Sequence, residues 1–373
     1  MSRHSGLRAA LFGAVALPLL CGASVAFAAP QGSAGYTVSL FASAPTGSSA
    51  PDSIAIVGSD VFVGYGNGGA PDGSGGAVST IAEYNSSGTL LNSTSVTGHN
   101  DGLRYNSATG QLWSIQNEDA SPNLVLINPT NLSKSAPLSF SATPHSGGYD
   151  DVAFGANGAS YISASNPAGT GGNGTGTFNQ PALVSASISG NTVNVAGALN
   201  GNATATNINT GGQTTLNLSD PDSLIYAPNG QLVLDSQGDS QLVFISNVGT
   251  GSQSASVLNL SNQVDDTSFA TGGQSTLLFS DKGDNAVYSI TGNFAAGTAY
   301  SSAASNSGVT GTDFIGALNM TNGNLTPIVS GVNNPGGQAF LSVAVPEPAS
   351  MVLFGSGLFG LFGVARRRGK RQA

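Results

Sequence analysis

The chain has 373 residues, 53 of them glycine, and only 8% of its residues are charged. The scarcity of Lys and Glu argues against long amphipathic helices, and a hydrophobic fraction of 39% is too high for a disordered chain. Between residues 29 and 345, three basic side chains stand against eighteen acidic ones, and the resulting net charge of about −15 excludes binding to a nucleic-acid backbone.

Residues 1–28 follow the pattern of an export signal. Arg3 and Arg8 precede an uncharged apolar run over residues 9–20, and small residues end the segment at Ala28. We therefore expect signal peptidase to cut after Ala28. The single cysteine, Cys21, lies within this segment, so the mature protein has no thiol for a disulfide or a metal site. A retained N-terminal anchor and a lipoprotein cut before Cys21 are the alternatives.

One short phrase recurs through the body of the chain. Five copies begin with aspartate and a sixth lacks it, and they open at Asp52, Asp101, Asp151, Asp222, Asp266 and Gly337. Each copy alternates apolar and polar residues, passes a turn and continues into another apolar run, which is typical of a β-hairpin. A second strand–turn–strand phrase follows in the same unit, as at 232–245 and 277–290.

The repeat predicts the fold class. Four strands for every 40–50 residues, roughly, indicate an all-β propeller with about six four-stranded blades, and five or seven blades are also compatible. Residues 165–180, 200–215 and 291–312 are predicted to be inserted loops, and a strand at 36–41 is expected to complete the last blade. Residues 29–345 would then form one domain outside the cytoplasm, with a β-solenoid or another all-β fold as the alternative.

The repeat phrase resembles those of NHL-repeat and gluconolactonase-like propellers at the level of pattern. The resemblance implies a lactonase whose metal ion is held in the channel by Glu, Asn and Asp. The body has two glutamates, Glu83 and Glu118, and both lie outside the innermost-strand phrase in which that family places its ligand. This departure favours a non-catalytic propeller that binds glycan or protein, with a secreted metal-dependent lactonase or other hydrolase as the alternative.

The repeated aspartates are the candidate metal ligands. If the phrase forms the innermost strands, one mouth of the channel would be ringed by Asp52, Asp101, Asp151, Asp222 and Asp266, with Asp150 and Asp265 beside them. Such a ring of oxygen donors suits Ca²⁺, and no other cofactor is expected. Alternatively, each aspartate caps a turn. His99 and His145 lie in loops on the same side, but no nucleophile elbow supports a catalytic triad.

Residues 346–371 combine three features in a fixed order. The first is a short acidic motif formed by Pro346, Glu347 and Pro348. An uncharged apolar stretch follows at residues 349–365, and then a basic tail that begins with Arg366, Arg367 and Arg368. The apolar stretch is at the short end of what a transmembrane helix needs. The basic tail would stay in the cytoplasm and leave the body outside.

These three features together resemble the PEP-CTERM sorting signal. The resemblance implies that a membrane-embedded exosortase recognises the motif, cuts near it and passes the protein to the cell envelope or the extracellular matrix. The expected partners are therefore the exosortase, signal peptidase and, in the matrix, exopolysaccharide. A plain single-pass membrane anchor is the alternative.

Overall fold

A computed structural model describes residues 29–142, 147–167, 177–273, 275–304 and 312–341. The predicted signal segment, the segment 346–371 and His145 lie outside the described residues. Within them the only helical elements are two single 3₁₀ turns, Ser74–Gly76 and Gln237–Asp239. No helix in the described ranges is long and apolar enough to cross a membrane.

The first half of the described chain forms two edge strands, a four-stranded sheet and an eight-stranded sheet. The edge strands and the four-stranded sheet are β1 (Gln31–Gly32), β2 (Tyr36–Ser43), β3 (Pro51–Val57), β4 (Asp60–Tyr65), β5 (Val78–Tyr84) and β6 (Leu90–Thr97). The eight-stranded sheet consists of β7 (Asn100–Asn106), β8 (Gln111–Gln116), β9 (Asn123–Ile127), β10 (Leu138–Phe140), β11 (Val152–Phe154), β12 (Ser160–Ser163), β13 (Pro181–Ser189) and β14 (Thr192–Asn200).

The second half forms a six-stranded sheet and two sheets whose strands interleave along the chain. The six-stranded sheet consists of β15 (Thr204–Asn207), β16 (Gln213–Thr215), β17 (Pro221–Tyr226), β18 (Leu232–Ser236), β19 (Gln241–Ser246) and β20 (Ser254–Asn259). The remaining strands are β21 (Thr267–Phe269), β22 (Thr276–Asp281), β23 (Ala286–Gly292), β24 (Ala299–Ala303), β25 (Phe314–Leu318), β26 (Leu325–Ser330) and β27 (Pro335–Phe340).

The innermost strands contact one another in a closed cycle. Strand β3 contacts β7, and the cycle continues through β11, β17, β21 and β27 back to β3. The eight-stranded sheet is two meanders joined only by a short parallel pairing of β10 with β14 at their outer edges. The described residues therefore form an all-β, propeller-like fold, which confirms this part of the predicted fold class.

Strand β2 ties the two ends of the domain together. It pairs antiparallel with β23, in the same sheet as β22 and the last described strand, β27. The N-terminal strand predicted at 36–41 thus completes the sheet that contains the end of the body. This pairing covers the edge that β23 would otherwise expose, and β2 becomes the outer edge of that sheet.

The last two sheets differ from the order that the sequence predicts. Strand β21 pairs with β24, while the hairpin of β22 and β23, which contains the phrase at 277–290, pairs with β27 instead. The phrase specifies its own turn and alternation but not its hydrogen-bonded neighbour, so the sequence could not assign the partner. Two of the predicted loops also contain strands, β15 and β16 in one and β24 in the other; Thr, abundant in the first, favours strands.

The core lies between adjacent sheets. The buried apolar side chains of the described residues form six clusters that are rich in Leu, Val and Ile. Neighbouring innermost strands approach closely at two glycines. A Cβ on Gly102 would lie 2.2 Å from the Asp150 carbonyl oxygen, and a Cβ on Gly337 would lie 2.5 Å from the Asp52 carbonyl oxygen. Only glycine fits at these two positions.

Candidate functional site: an acidic mouth of the channel

One end of the central channel opens into an acidic cavity of about 330 Å³, called the acidic mouth below. Eight carboxyl side chains line it, namely those of Asp52, Asp101, Glu118, Asp119, Asp150, Asp220, Asp222 and Asp265. Lys282 is the one basic residue among the lining residues apart from His99. So many carboxylates around a small cavity create a strongly negative potential.

Five of these carboxylates come from equivalent places at the start of the innermost strands. Asp52, Asp101 and Asp222 lie in β3, β7 and β17, at a register irregularity that follows the first residue of each strand. Bulges of this kind turn a side chain away from the regular alternation of the strand. Asp150 and Asp265 take the same place just ahead of β11 and β21. Below, the acidic ring means these five aspartates.

The sixth place in the ring belongs to Gly336 on β27, and the side chain of Lys282 fills it. A Cβ on Gly336 would lie 2.9 Å from Cε of Lys282 and 2.7 Å from Oδ1 of Asp52. The ammonium group lies 3.1 Å from Oδ1 of Asp52 and 3.2 Å from Oδ2 of Asp265. Lys282 is therefore a tethered cation between two neighbouring members of the ring.

Burial changes the protonation of the ring. Desolvation raises the pKa of Asp101 to about 7 and that of Glu118 also to about 7. The pKa values of Asp52, Asp150 and Asp222 are raised well above the usual range, first by desolvation and, for Asp150 and Asp222, next by neighbouring carboxylates. Without a bound cation the acidic mouth therefore holds protons at neutral pH, and a cation would displace them.

Two members of the predicted ring lie one layer deeper. Asp151 and Asp266 follow Asp150 and Asp265 in sequence, and they flank Arg104, which places its Nη2 2.6 Å and 3.5 Å from their carboxylates. Asp151 also accepts a hydrogen bond from the Leu224 amide, and desolvation raises the pKa of Asp266 to about 6. This layer constricts the channel to a cavity of about 20 Å³.

Two sets of side chains in the acidic mouth have the spacing of metal ligands. Asp101, Asp150 and Asp222 place one oxygen each within 4.8 Å of one another, and His99, Asp101 and Glu118 do the same with a ring nitrogen. Asp150 is only 2% exposed, and its Oδ1 has no hydrogen-bond partner among the described residues. A buried oxygen without a partner is costly unless a proton, a water or a cation satisfies it. The first set, which has only oxygen donors, fits Ca²⁺.

The sequence missed several residues of this site. Glu118 lies beyond the end of β8, outside the repeat phrase, and reaches the acidic mouth from the loop. Lys282 follows β22 directly, and nothing in its local sequence marks it as part of a ring. Asp235 on β18 does not line the acidic mouth, but its charge contributes to the raised pKa of Asp222 in the ring. It is 1% exposed, and neither of its carboxyl oxygens has a hydrogen-bond partner in the described part of the chain.

The histidine that is described also lies in this cavity. His99 is half-buried, its pKa is lowered chiefly by desolvation, and its Nδ1 has no hydrogen-bond partner among the described residues. A general base of the triad type is oriented by a carboxylate on that nitrogen. The geometry of His99 therefore suits a metal ligand better than a triad base.

Comparisons with known proteins give different results for the sorting segment and for the body. Residues 344–368 match the PEP-CTERM protein-sorting motif. This motif marks an exported protein that an exosortase, a membrane protease, processes. The search of curated proteins finds no match for the chain.

Solved structures similar to the body include lactonases. The periplasmic gluconolactonase PpgL of Pseudomonas aeruginosa shares 11% identity over 79% of this chain and 88% of its own, with a TM-score of 0.45. A putative 6-phosphogluconolactonase from Bacteroides uniformis shares 12% identity over 77% of this chain and 72% of its own, with a TM-score of 0.43.

Proposed function

We propose that this is a non-catalytic protein of the cell envelope or extracellular matrix whose acidic mouth binds a divalent cation, Ca²⁺ by preference. The observation that carries the proposal is the convergence of five aspartates on one cavity, four of them half-buried and Asp150 buried, with no hydrogen-bond donor to Oδ1 of Asp150 among the described residues. Ca²⁺ takes six to eight oxygen ligands. The ring would supply several of them and leave the outward positions of the ion for hydroxyl or carboxylate groups of a partner.

The partner that this arrangement suits is an exopolysaccharide. A glycan offers the hard oxygen donors that a half-coordinated Ca²⁺ still needs. The body, with a net charge of about −15, would otherwise repel an acidic polysaccharide. Bridging by Ca²⁺ would thus give a negatively charged body a way to bind a negatively charged matrix.

The arrangement of the strands supports six blades. Six innermost strands contact in a cycle, and each can be assigned three further strands of a blade if the interleaved pair of sheets is divided by hydrogen bonding. In this proposal β27, β22, β23 and β2 form the last blade, while β21, β24, β25 and β26 form the one before it.

Calcium titration tests the cation site. We expect wild-type protein to bind Ca²⁺ in isothermal titration calorimetry, and Asp150→Asn to weaken that binding by about tenfold or more. Asp60→Asn is the matched control, because Asp60 lies at the far end of β4, away from the acidic mouth. Equal affinities in all three proteins, or no binding to the wild type, would contradict the proposal.

The sorting segment is tested separately in cells. We propose that residues 349–365 hold the body at the outer face of the inner membrane until cleavage near the motif releases it to the envelope. We expect mass spectrometry to find wild-type protein without Arg366, Arg367 and Arg368. Replacing Pro346, Glu347 and Pro348 by alanine should leave a full-length tail in the inner membrane. Ser342→Ala, just ahead of the motif, should be processed like the wild type; a tail retained in all three would contradict the sorting.

A metal-dependent hydrolase is the second candidate, because Glu118 and His99 face the same cavity as the ring. A lactone substrate such as gluconolactone is the first to assay, with Ca²⁺ or Zn²⁺ added. Hydrolysis that Glu118→Gln abolishes while Ca²⁺ binding persists would favour the enzyme over the binding protein.

A further inference from the structure

The channel has a second mouth with the opposite chemistry. A cavity of about 470 Å³ opens at the other end of the innermost strands. Its outer edge consists of side chains four residues beyond the acidic ring, one from each innermost strand: Ile56, Tyr105, Phe154, Tyr226, Phe269 and Phe340. We call these six side chains the aromatic rim.

The aromatic rim is apolar but not fully buried. All its members except Phe269, which is 8% exposed, are half-buried, and each also packs into one of the six clusters between the sheets. Arg104 is the one charged residue among those lining the cavity, and it is paired with Asp151. The two ends of the channel therefore differ sharply, with carboxylates at one and aromatic rings at the other.

The direction of the last strand links the aromatic rim to the sorting segment. Strand β27 begins beside the acidic ring, where Gly336 contacts Asp52, and ends at Phe340 in the rim. Leu341 is the last described residue, and the sorting motif matches from residue 344. Pro346 is the fifth residue after Leu341, so even a fully extended chain spans at most about 18 Å between them.

We infer that the aromatic rim faces the lipid bilayer while the tail holds the protein there, and that the acidic mouth points away from it. The inference rests on the proposed membrane tail and adds the orientation of the body. Tyrosine side chains, here Tyr105 and Tyr226, are favoured at the interface between lipid and water, and the other rim side chains are apolar. The acidic mouth, in contrast, would be repelled by anionic head groups. The position of the chain exit and the distribution of charge lead to the same orientation.

Energy transfer to the membrane surface tests this orientation. The protein carries the alanine-substituted motif at 346–348 to retain the tail, is recovered after export without the signal segment, and therefore has no native cysteine. A donor dye is attached at Ser107→Cys, beside the aromatic rim, or at Ser74→Cys, in the exposed loop that follows Gly66 of the acidic mouth. The vesicles contain phosphatidylcholine, phosphatidylglycerol and a head-group acceptor dye.

We expect the donor at position 107 to approach the acceptor plane more closely than the donor at 74, by about 20 Å. This figure takes position 74 to lie level with Asp101 at the acidic mouth, and it is the rise of the six residues from Asp101 to Ser107 at about 3.3 Å each. Equal or reversed distances in protein that floats with the vesicles would overturn the orientation alone. Protein that does not float would overturn the membrane tail and the orientation together. The donor at 107 could instead be shielded from solvent only at high protein concentration, with no energy transfer to the lipid acceptor. That result would mean that the rim contacts a second copy of the protein, and it would overturn the inference.

Discussion

Replacing Lys282 with methionine removes the positive charge that neutralises the acidic ring while keeping a side chain of similar length against Gly336. At an effective dielectric constant of about 20, two unit charges 3.1 Å apart, the separation of Lys282 and Asp52, attract by about 5 kcal/mol. Breaking a buried pair by removing one partner costs about 3–5 kcal/mol, because the other charge stays behind. The side chain of Lys282 is 24% exposed, so we expect a loss near the lower end, about 3 kcal/mol.

Calcium should reverse most of this loss. If a divalent cation occupies the acidic mouth, it supplies the positive charge that the variant lacks. In the variant this cation also does not compete with the ammonium group of Lys282, as it does in the wild type. We therefore expect thermal unfolding of Lys282→Met to occur at a lower temperature than that of the wild type in chelator. The increase in Tm on adding Ca²⁺ should be larger in the variant than in the wild type.

Lys134→Met is the matched control. Lys134 is exposed, and its ammonium group donates a hydrogen bond to the Ser95 carbonyl on the outside of the fold. This substitution changes the net charge equally, so it should change stability little and leave the calcium-dependent increase in Tm unchanged. If Ca²⁺ raised the Tm of both lysine variants and the wild type by the same amount, the reasoning about the ring would be refuted.

Three further predictions concern the ionisable groups of the channel. Desolvation raises the pKa of Asp235 well above the usual range, so ionisation of this carboxyl opposes folding at pH 7. Asp235→Asn should therefore raise the free energy of unfolding measured in urea by about 1–3 kcal/mol at pH 7. That gain should disappear below pH 4, where the carboxyl is protonated in both the folded and unfolded states, and a gain that persists there would contradict it. Asp101 and Glu118 have pKa values of about 7. The Ca²⁺ affinity measured by calorimetry should therefore fall as the pH drops below 7, by about tenfold per pH unit for each proton that Ca²⁺ displaces. An affinity independent of pH would exclude these two residues as ligands. Arg104→Met should cost about 3–5 kcal/mol in thermal unfolding, because it leaves Asp151 buried without its counter-charge, and a loss below 1 kcal/mol would mean that the pair contributes little.

Local patterns in the sequence were sufficient to predict many of the hairpins of the fold. Alternation of apolar residues around Gly/Asn turns predicts hairpins such as β17–β18, and these pair as expected, with Leu224 opposite Leu234. The strand predicted at 36–41 also lies where ring closure requires it, because Val38 pairs with Ile290 in the sheet of the last strand. In both cases the information lies in a short segment and in the need to cover a sheet edge.

The pairing of distant strands could not be predicted in the same way. The hairpin of β22 and β23 has the phrase of an ordinary second hairpin, yet it joins β27 rather than β21. Its partner depends on which strands bury a common face, here the cluster that contains Leu277, Phe279 and Ile290. That cluster combines residues from both interleaved sheets, and no periodicity along the chain reports such a combination.

The candidate site was only partly visible for a related reason. The repeat identifies Asp52, Asp101 and Asp222 as ring members, but two copies contain consecutive aspartates, Asp150–Asp151 and Asp265–Asp266. In both copies the first aspartate lines the acidic mouth and the second lies beside Arg104. A shift of one residue reverses the direction of a side chain in a strand, so the sequence alone does not specify which member of each pair joins the ring.

The copy of the repeat that departs most from the others explains how the two ends of the channel differ. A carboxylate in place of Gly336 would close the ring with a sixth negative charge and would leave no room for Lys282, since a Cβ there already approaches its side chain to 2.9 Å. The glycine therefore admits the lysine that holds the ring together without a bound ion. Four residues later the same strand supplies Phe340 to the aromatic rim, and the chain then continues towards the sorting motif. Strand β27 thus links the two ends. It lowers the net negative charge of the mouth that we propose faces the matrix, and in the proposed orientation it directs the other mouth towards the membrane.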